Sequence, residues 1–341
     1  MIKKILLIIL FIFFLAALFS AWKILGPSVA EPEGKFLFIK TGTSFGEMKE
    51  QLRTEKIIKG TFWFDKTATL LKFKIARAGK YELKNGMSIL QLIRLLKNGK
   101  QTPVNLVITK IRLKESLARN LGRLFEFDSL QAIQYLTNTD SLKPYKLDSN
   151  TVMSAVLPNT YTYYWNTTPD KVFKKLYAEW QKFWNEERKQ KAARLGLTPL
   201  QVSVIASIID EESNYAPEKS NIASVYLNRI KKNMPLQADP TVKFALRDFG
   251  LKRIYQKHLA VESPYNTYRK TGLPPGPICT PQPATIDAVL NSPETKYLYF
   301  VAKNDFSGAH VFTTNYADHL KKAKEYQQAL NKQDSIRKAS K

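Results

Sequence analysis

An uncharged run of 18 residues, from Ile5 to Trp22, is the feature that most constrains what this 341-residue chain can fold into. Within that run only Ser20 is polar. A helix needs about 20 mostly apolar residues to cross the hydrocarbon core of a membrane, whereas the apolar region of a signal peptide usually has about 7–15. We therefore predict a transmembrane anchor over residues 1–27.

The charges beside this run say little about its orientation, because lysines both precede and follow it. The leading tail of four residues is short, which favours an N-terminus in the cytoplasm. The rest of the chain would then lie on the far side of the membrane. The alternative is a cleaved signal peptide, since Ser28-Val29-Ala30 faintly resembles a cleavage site.

Charge and composition narrow the possible partners. The formal net charge of +24 suits membrane headgroups, an acidic cell-wall polymer or nucleic acid. We expect no nucleic-acid partner, because the anchor would place the basic regions away from the cytoplasm. Cys279 is the only cysteine, and the three histidines are too scattered for a zinc site. Neither a Gly-rich phosphate loop nor a Gly-x-Ser-x-Gly elbow occurs, so we expect no metal and no other cofactor.

Short elements and tight turns predict an α+β fold after the anchor. The expected strands cover residues 35–40, 78–83 and 104–109, and the expected helices cover 45–55, 62–75, 88–96, 169–195, 199–212 and 218–232. Ser44 and Thr198 are predicted helix caps, each with Glu or Gln three residues later. Residues 233–278 are expected to be rich in loops.

The same patterns divide the chain into five segments. They are the anchor at 1–27, a membrane-proximal domain at 28–109, a helical connector at 110–150, a larger domain at 151–328 and a basic tail at 329–341.

Glu212 stands at the end of the apolar helix that begins after Thr198. It continues the stripe of Val204 and Ile208 at steps of four, so its carboxyl should be partly desolvated and its pKa raised. A general acid at neutral pH needs such a carboxyl. The alternative is a solvated helix end, since the adjacent acids Asp210 and Glu211 fan out by about 100° each.

Four strings around this position are specific. ASIIDEES, NIASVYLNRI, MPLQADPTV and YNTYRKTGLPPGPI follow one another between residues 206 and 278. In order and spacing they resemble the endolytic murein transglycosylase family, the MltG or YceG-like proteins. KYLYFV at 296–301, HVFTTNYADH at 310–319 and LPNTY at 157–161 extend the resemblance to about residues 35–325.

The resemblance implies an enzyme of the bacterial inner membrane that cuts glycan strands of peptidoglycan internally. The bond is the β-1,4 linkage from N-acetylmuramic acid to N-acetylglucosamine, and the product has a 1,6-anhydro end. The catalytic glutamate maps to Glu212, and Asp210, where members commonly have Glu, becomes auxiliary. The resemblance also implies a LysM-like subdomain within 35–109 and work near peptidoglycan synthases, where the enzyme trims or ends nascent strands.

Two alternatives stay open at this point. A hydrolytic muramidase would use Glu212 and would position water with Asp239 or Asp210. A non-catalytic, membrane-anchored scaffold would only bind the wall.

Candidate substrate-binding residues follow mostly from the resemblance. They are Gln237, Asp239, Tyr265, Asn266, Thr267 and Tyr268, with Tyr161 from an aromatic row that could stack on sugar rings. The alternatives are turn or capping roles for the loop residues, since Asp239-Pro240 favours a turn, and strand packing for Tyr161.

Overall fold

The computed structural model describes residues 2–251 and 253–339, which form a mixed α+β structure. The helices are α1 (Ile2–Leu25), α2 (Phe45–Thr54), α3 (Phe62–Leu70), α4 (Ile89–Asn98), α5 (Lys114–Leu124), α6 (Ser129–Thr137), α7 (Thr139–Leu142), α8 (Pro169–Phe183), α9 (Glu186–Arg194), α10 (Pro199–Glu212), α11 (Lys219–Lys231), α12 (Asp239–Leu246), α13 (Gln256–Leu259), α14 (Pro283–Leu290) and α15 (Tyr316–Ala339). The strands are β1 (Phe36–Ile39), β2 (Gly79–Glu82), β3 (Val104–Ile108), β4 (Asn159–Tyr163), β5 (Tyr299–Ala302) and β6 (His310–Thr313). They pair as β1–β2, β3–β4 and β5–β6.

The described chain divides into two units. The first comprises residues 1–106, 123–128 and 162–168, and the second comprises 107–122, 129–161 and 169–341. The segment expected to be a connector is helical, as its composition suggests, and most of it belongs to the second unit. Residues 329–339 of the expected tail continue α15, and residues 340–341 lie outside the described part of the chain.

α1 leaves its apolar side chains uncovered, and none of its described residues is buried. By length and composition it is the single helix of the described chain that could cross a membrane. The pair α9–α10, bent by 80°, would qualify only if it were counted as one span. Since α10 has nine buried residues, we assign it to a soluble core.

In the first unit, β1 and β2 pair antiparallel, with Phe36 opposite Glu82 and Ile39 opposite Gly79. The capping box predicted at Ser44 is confirmed, and Ser88 forms a second one. α3 ends at Leu70, five residues before its predicted end. The core is a cluster of buried side chains that includes Leu37, Ile39, Met48, Leu52, Phe64, Tyr81, Leu92 and Leu96.

In the second unit, α10 is the central element and packs on α11, α12 and α14. The predicted start of α10 is confirmed. The side chain of Thr198 accepts a hydrogen bond from Gln201 N, and the side chain of Gln201 accepts one from Thr198 N. The prediction of one helix over 169–195 is wrong. The helix α8 ends at Phe183, and a new helix, α9, begins after Asn185. The side chain of Asn185 caps α9 by accepting a hydrogen bond from Arg188 N, because asparagine side chains compete for backbone donors.

The region expected to be rich in loops contains α12, and that helix matters for the site. Asp239 is its first residue, and Pro240 lies in its first turn. The interpretation of Asp239-Pro240 as a turn is therefore wrong. Proline is accepted at the start of a helix because its missing N–H would have had no partner there.

Candidate active site

Glu212 is the last residue of α10, where the helix leaves the core. Ile208 and Ile209 one turn earlier are fully buried, whereas Glu212 is half-buried. Burial raises the pKa of its carboxyl from 4.5 to about 7. The direction follows because burial costs the charged carboxylate more hydration than the neutral acid. The desolvation predicted from the apolar stripe is thus confirmed.

Four neighbours adjust the pKa of Glu212 in addition to its burial. The hydroxyl of Tyr226, buried on α11, donates a hydrogen bond of 2.8 Å to Glu212 Oε1 and lowers the pKa. The negative charge of Asp239 raises the pKa, and the positive charges of Lys243 and Arg229 lower it. A hydrogen bond to a carboxylate favours the charged form, so the net result is a carboxyl poised near neutrality.

Tyr268 holds the carboxyl of Asp239 in place. The Tyr268 hydroxyl donates to Asp239 Oδ1 at 2.5 Å. Burial, and then the bond to Asp239, raise the pKa of Tyr268, so the phenol keeps its proton. The carboxylate of Asp239 is therefore oriented by a neutral donor and stays half-buried beside the site.

Arg229 holds the loop that carries Gln237. Arg229 is 7% exposed, and its guanidinium donates to the carbonyls of Leu298 at 2.7 Å and Leu236 at 2.8 Å, and to Gln237 Oε1 at 3.3 Å. Gln237 is exposed and has a φ of 51°, a left-handed conformation that is uncommon for residues other than glycine. The loop is thus fixed by an internal cation.

Asn266 and Thr267 are buried and fix the opposite loop. Asn266 donates from Nδ2 to the carbonyls of Leu259 and Val261, at 2.9 and 2.8 Å. Thr267 accepts from Gln237 N at its carbonyl and from Ala238 N at its hydroxyl. Both side chains form hydrogen bonds within the protein and support the loop.

Tyr265 and Tyr161 pack against other parts of the protein, and their contacts are not with Glu212. Tyr265 is half-buried and packs on Phe244, with ring centroids 4.7 Å apart. Tyr161 is buried in β4, and its hydroxyl donates to Leu157 O at 2.8 Å. Tyr161 therefore presents no exposed ring face on which a sugar could stack, and strand packing explains it.

The three adjacent acids have three different sets of partners. Asp210 is buried and contacts Lys219 Nζ at 2.6 Å, and it also accepts from Thr285 and from the backbone of Gln282. Glu211 pairs with Arg112 at 2.9 Å. Glu212 forms no ion pair among those of the described residues, and its hydrogen-bond partner is the neutral hydroxyl of Tyr226. Asp210 is a structural anchor for the start of α14.

A second buried carboxyl follows α10. Glu218 accepts from the hydroxyl of Ser213 at 2.6 Å, from the backbone N–H of His310 at 2.8 Å, and contacts His310 Nδ1 at 2.7 Å. Through Glu218, this network connects Ser213, the residue that follows Glu212, to His310 at the start of β6. Sequence reasoning missed Glu218, Tyr226 and Arg229, although Tyr226 and Arg229 lie within the specific string NIASVYLNRI.

Among the residues that the structure describes, no group of three or more His, Cys, Asp or Glu side chains could hold a metal ion. Glu212 itself offers a carboxyl whose pKa is raised to about 7, beside the negative charge of Asp239.

Comparisons with known proteins identify the family. A family model described as the YceG-like family matches residues 37–325. The chain is 29% identical over 333 residues to a Bacillus subtilis (strain 168) protein named endolytic murein transglycosylase, with 90% of each chain covered. It is 25% identical over 319 residues to a protein of that name from Streptococcus pneumoniae serotype 2 (strain D39 / NCTC 7466), covering 84% of this chain and 57% of the relative.

A solved structure has the same fold. It is the crystal structure of a protein from Listeria monocytogenes described as yceG-like. The two chains are 25% identical and superpose with a TM-score of 0.57, covering 84% of this chain and 97% of the other.

Proposed function

The chain belongs to the YceG-like family, and from that premise we propose that it is an endolytic murein transglycosylase. It cuts glycan strands of peptidoglycan internally, at the β-1,4 bond from N-acetylmuramic acid to N-acetylglucosamine. Its product has a 1,6-anhydro end. The single observation that carries the chemistry is the carboxyl of Glu212, whose pKa burial raises to about 7.

Glu212 serves first as an acid and then as a base. In its protonated form it gives a proton to the leaving glycosidic oxygen. The resulting carboxylate takes the proton of the sugar's own 6-hydroxyl, whose oxygen attacks the anomeric carbon. One group can do both because its pKa is near the working pH. The attack is intramolecular, which lowers its entropic cost, and it uses no water.

Asp239 is the group that stabilises the developing positive charge. Its carboxylate is half-buried, and Tyr268 holds it in one orientation. A fixed negative charge in a partly desolvated site favours an oxocarbenium-like transition state. Its charge also raises the pKa of Glu212, so Asp239 keeps the acid protonated.

In this proposal, three of the predicted binding residues contact the glycan. They are Gln237, Asp239 and Tyr268, which are exposed or half-buried in the group around Glu212. The ring of Tyr265 packs on Phe244, and it is a fourth candidate contact in this proposal. We assign Asn266, Thr267 and Tyr161 to the support of the fold, because their side chains are buried and bonded internally.

The first unit anchors and positions the enzyme in this proposal. α1 spans the inner membrane with its N-terminus in the cytoplasm, and the catalytic unit lies outside the membrane. The strand–helix–helix–strand arrangement from β1 to β2 is the LysM-like subdomain. At this position the enzyme works near peptidoglycan synthases and ends the elongation of nascent strands.

Digestion of purified sacculi tests this function. The wild-type protein should release fragments with 1,6-anhydro ends, detected by mass spectrometry, and Glu212→Gln should release none while keeping its folded circular-dichroism spectrum. Glu211→Gln is the matched control, since its amide oxygen can still accept from Arg112. Reducing ends in place of anhydro ends would identify a hydrolytic muramidase, and activity in Glu212→Gln would remove the proposed role of that carboxyl.

A further inference from the structure

A cavity of about 700 Å³ lies in the first unit, at the end of α1. Its walls are the last turn of α1, the segment 27–30, the loop 56–60 between α2 and α3, and the start of α3. Sites for small molecules usually have about 300–1,000 Å³. The cavity is therefore large enough for a ligand, and the proposed catalytic chemistry does not use it.

The walls are fixed by backbone hydrogen bonds. Val29 forms an antiparallel bridge with Ile58, and its N–H donates to Met87 O at 2.9 Å. Ala30 N donates to Ile57 O at 2.9 Å. The segment that follows α1 is thus part of the folded unit, and these bonds hold the cavity walls together.

The lining combines positive charge with apolar surface. Lys23, Lys56 and Lys59 line the cavity together with Trp22 and Trp63, and no Asp or Glu is among the described residues of the lining. None of the ion pairs between described residues involves these three lysines. A ligand that suits this lining has an anionic head and an apolar chain.

The position along α1 identifies the surroundings of the cavity. The helix has 24 residues, which at about 1.5 Å per residue exceeds the ~30 Å thickness of the hydrocarbon core. Its last turn, with Trp22 and Lys23, therefore reaches the headgroup region. Tryptophan is enriched at that depth, and basic side chains there attract anionic lipid.

We propose that this cavity binds the phosphate headgroup of an anionic phospholipid, with an acyl chain against Trp22 and Trp63. The proposal rests on the assignment of α1 as the membrane anchor and is independent of Glu212. The lysines hold the phosphate, and the bound lipid fixes the first unit at the membrane surface.

Native mass spectrometry of the full chain in detergent tests the proposal with equal amounts of phosphatidylglycerol and phosphatidylcholine. The wild-type protein should retain phosphatidylglycerol preferentially. Lys56→Ala/Lys59→Ala should weaken that binding about 30-fold, since each lysine near a lipid surface contributes about 1 kcal/mol. The matched control is Lys74→Ala/Lys100→Ala, which removes the same charge at exposed positions that do not line the cavity.

Two further variants separate charge from shape. Lys56→Arg/Lys59→Arg keeps the charge and should keep the binding. Gly60→Leu should reduce the binding of both lipids, because Gly60 lines the cavity and a Cβ there meets open space, so the fold tolerates the added side chain.

Three results would overturn the proposal. They are equal retention of both lipids by the wild type, unchanged preference in Lys56→Ala/Lys59→Ala, and displacement of the lipid by millimolar inorganic phosphate, which would identify a site for a free anion. Glu212→Gln should bind lipid normally, so the failure of this site and the failure of the catalytic proposal are distinguishable.

Discussion

At the scale of single residues, burial raises the pKa of the Glu212 carboxyl, and the hydrogen bond from Tyr226 lowers it. Tyr226→Phe removes the hydroxyl that lowers its pKa, so that pKa should rise above about 7. In the proposed mechanism Glu212 must be protonated to act as the acid, so the alkaline limb of kcat/KM should move to higher pH. The measurement is the pH profile of fragment release, and an unchanged limb would show that another group controls it.

Asp239→Asn should have the opposite effect on the same profile. The negative charge of Asp239 raises the pKa of Glu212, so its removal should lower that pKa and move the alkaline limb to lower pH. Activity at the optimum should also fall, because the carboxylate no longer stabilises positive charge in the transition state. Tyr268→Phe is the control, since it keeps the charge of Asp239 and removes only the hydrogen bond to it. A limb that moves upward would contradict this assignment.

The raised pKa of Glu212 also makes this residue a cost to stability. The folded protein binds a proton more tightly than the unfolded chain between pH 4.5 and about 7, so the free energy of unfolding should fall as pH rises through that window. Glu212→Gln has no such proton and should be more stable than the wild type above pH 7, by up to about 3 kcal/mol. Urea unfolding near pH 5 and near pH 8 checks this, and an equal difference at both values would contradict it.

How far the site could be predicted also depends on the residue. The apolar stripe of α10 predicted a desolvated carboxyl at Glu212, because helical periodicity is local information. Tyr226 and Arg229 belong to the next helix, and their meeting with Glu212 and Gln237 depends on how α11 packs against α10. A buried tyrosine on an apolar face has no local signal that separates packing from hydrogen bonding to an acid.

At the scale of elements, helix caps could be predicted from the sequence, whereas α12, whose start depends on tertiary packing, could not. Ser44 and Thr198 carry their partners three residues away, so the start of each helix could be read from sequence. α12 was missed because its first residues, Asp239-Pro240, favour a turn as well as a helix start. Only packing against α10 decides between the two, and that contact lies far away in sequence.

Asp210 joins three elements, which gives a prediction at this scale. Its carboxylate contacts Lys219 at the start of α11 and accepts from Thr285 and Gln282 at the start of α14. Asp210→Ala leaves the largely buried Lys219 ammonium without its partner and should lower the free energy of unfolding by about 3 kcal/mol or more. Thermal and urea unfolding measure this.

The matched control for Asp210 is Asp287→Ala on α14. Asp287 pairs with Arg188, but its side chain is 37% exposed, so its loss should cost less than about 1 kcal/mol. Equal destabilisation by the two variants would contradict the view that burial makes Asp210 an anchor. The pH dependence of residual activity in Asp210→Ala should match that of the wild type, because the proposed mechanism assigns the catalytic proton to Glu212.

At the scale of the whole molecule, the sequence predicted the α+β class and the apolar anchor helix, but it could not predict how the chain divides. Residues 107–122 belong to the second unit, 123–128 to the first, and 129–161 to the second again. Such an alternation leaves no proline- or glycine-rich boundary in the sequence. It is set by long-range packing, and composition along the chain does not record it.

The net charge of +24 gives a prediction that belongs to the whole chain. If this charge draws the protein to an anionic wall, binding of Glu212→Gln to purified sacculi should weaken steeply as salt shortens the screening length from about 10 Å at 0.1 M to about 3 Å at 1 M. Co-sedimentation with sacculi measures the bound fraction without digestion. The control is cleavage of short soluble glycan fragments by the wild type, which should depend much less on salt. Salt-independent binding to sacculi would instead place the affinity in short-range contacts such as those of Gln237 and Tyr268.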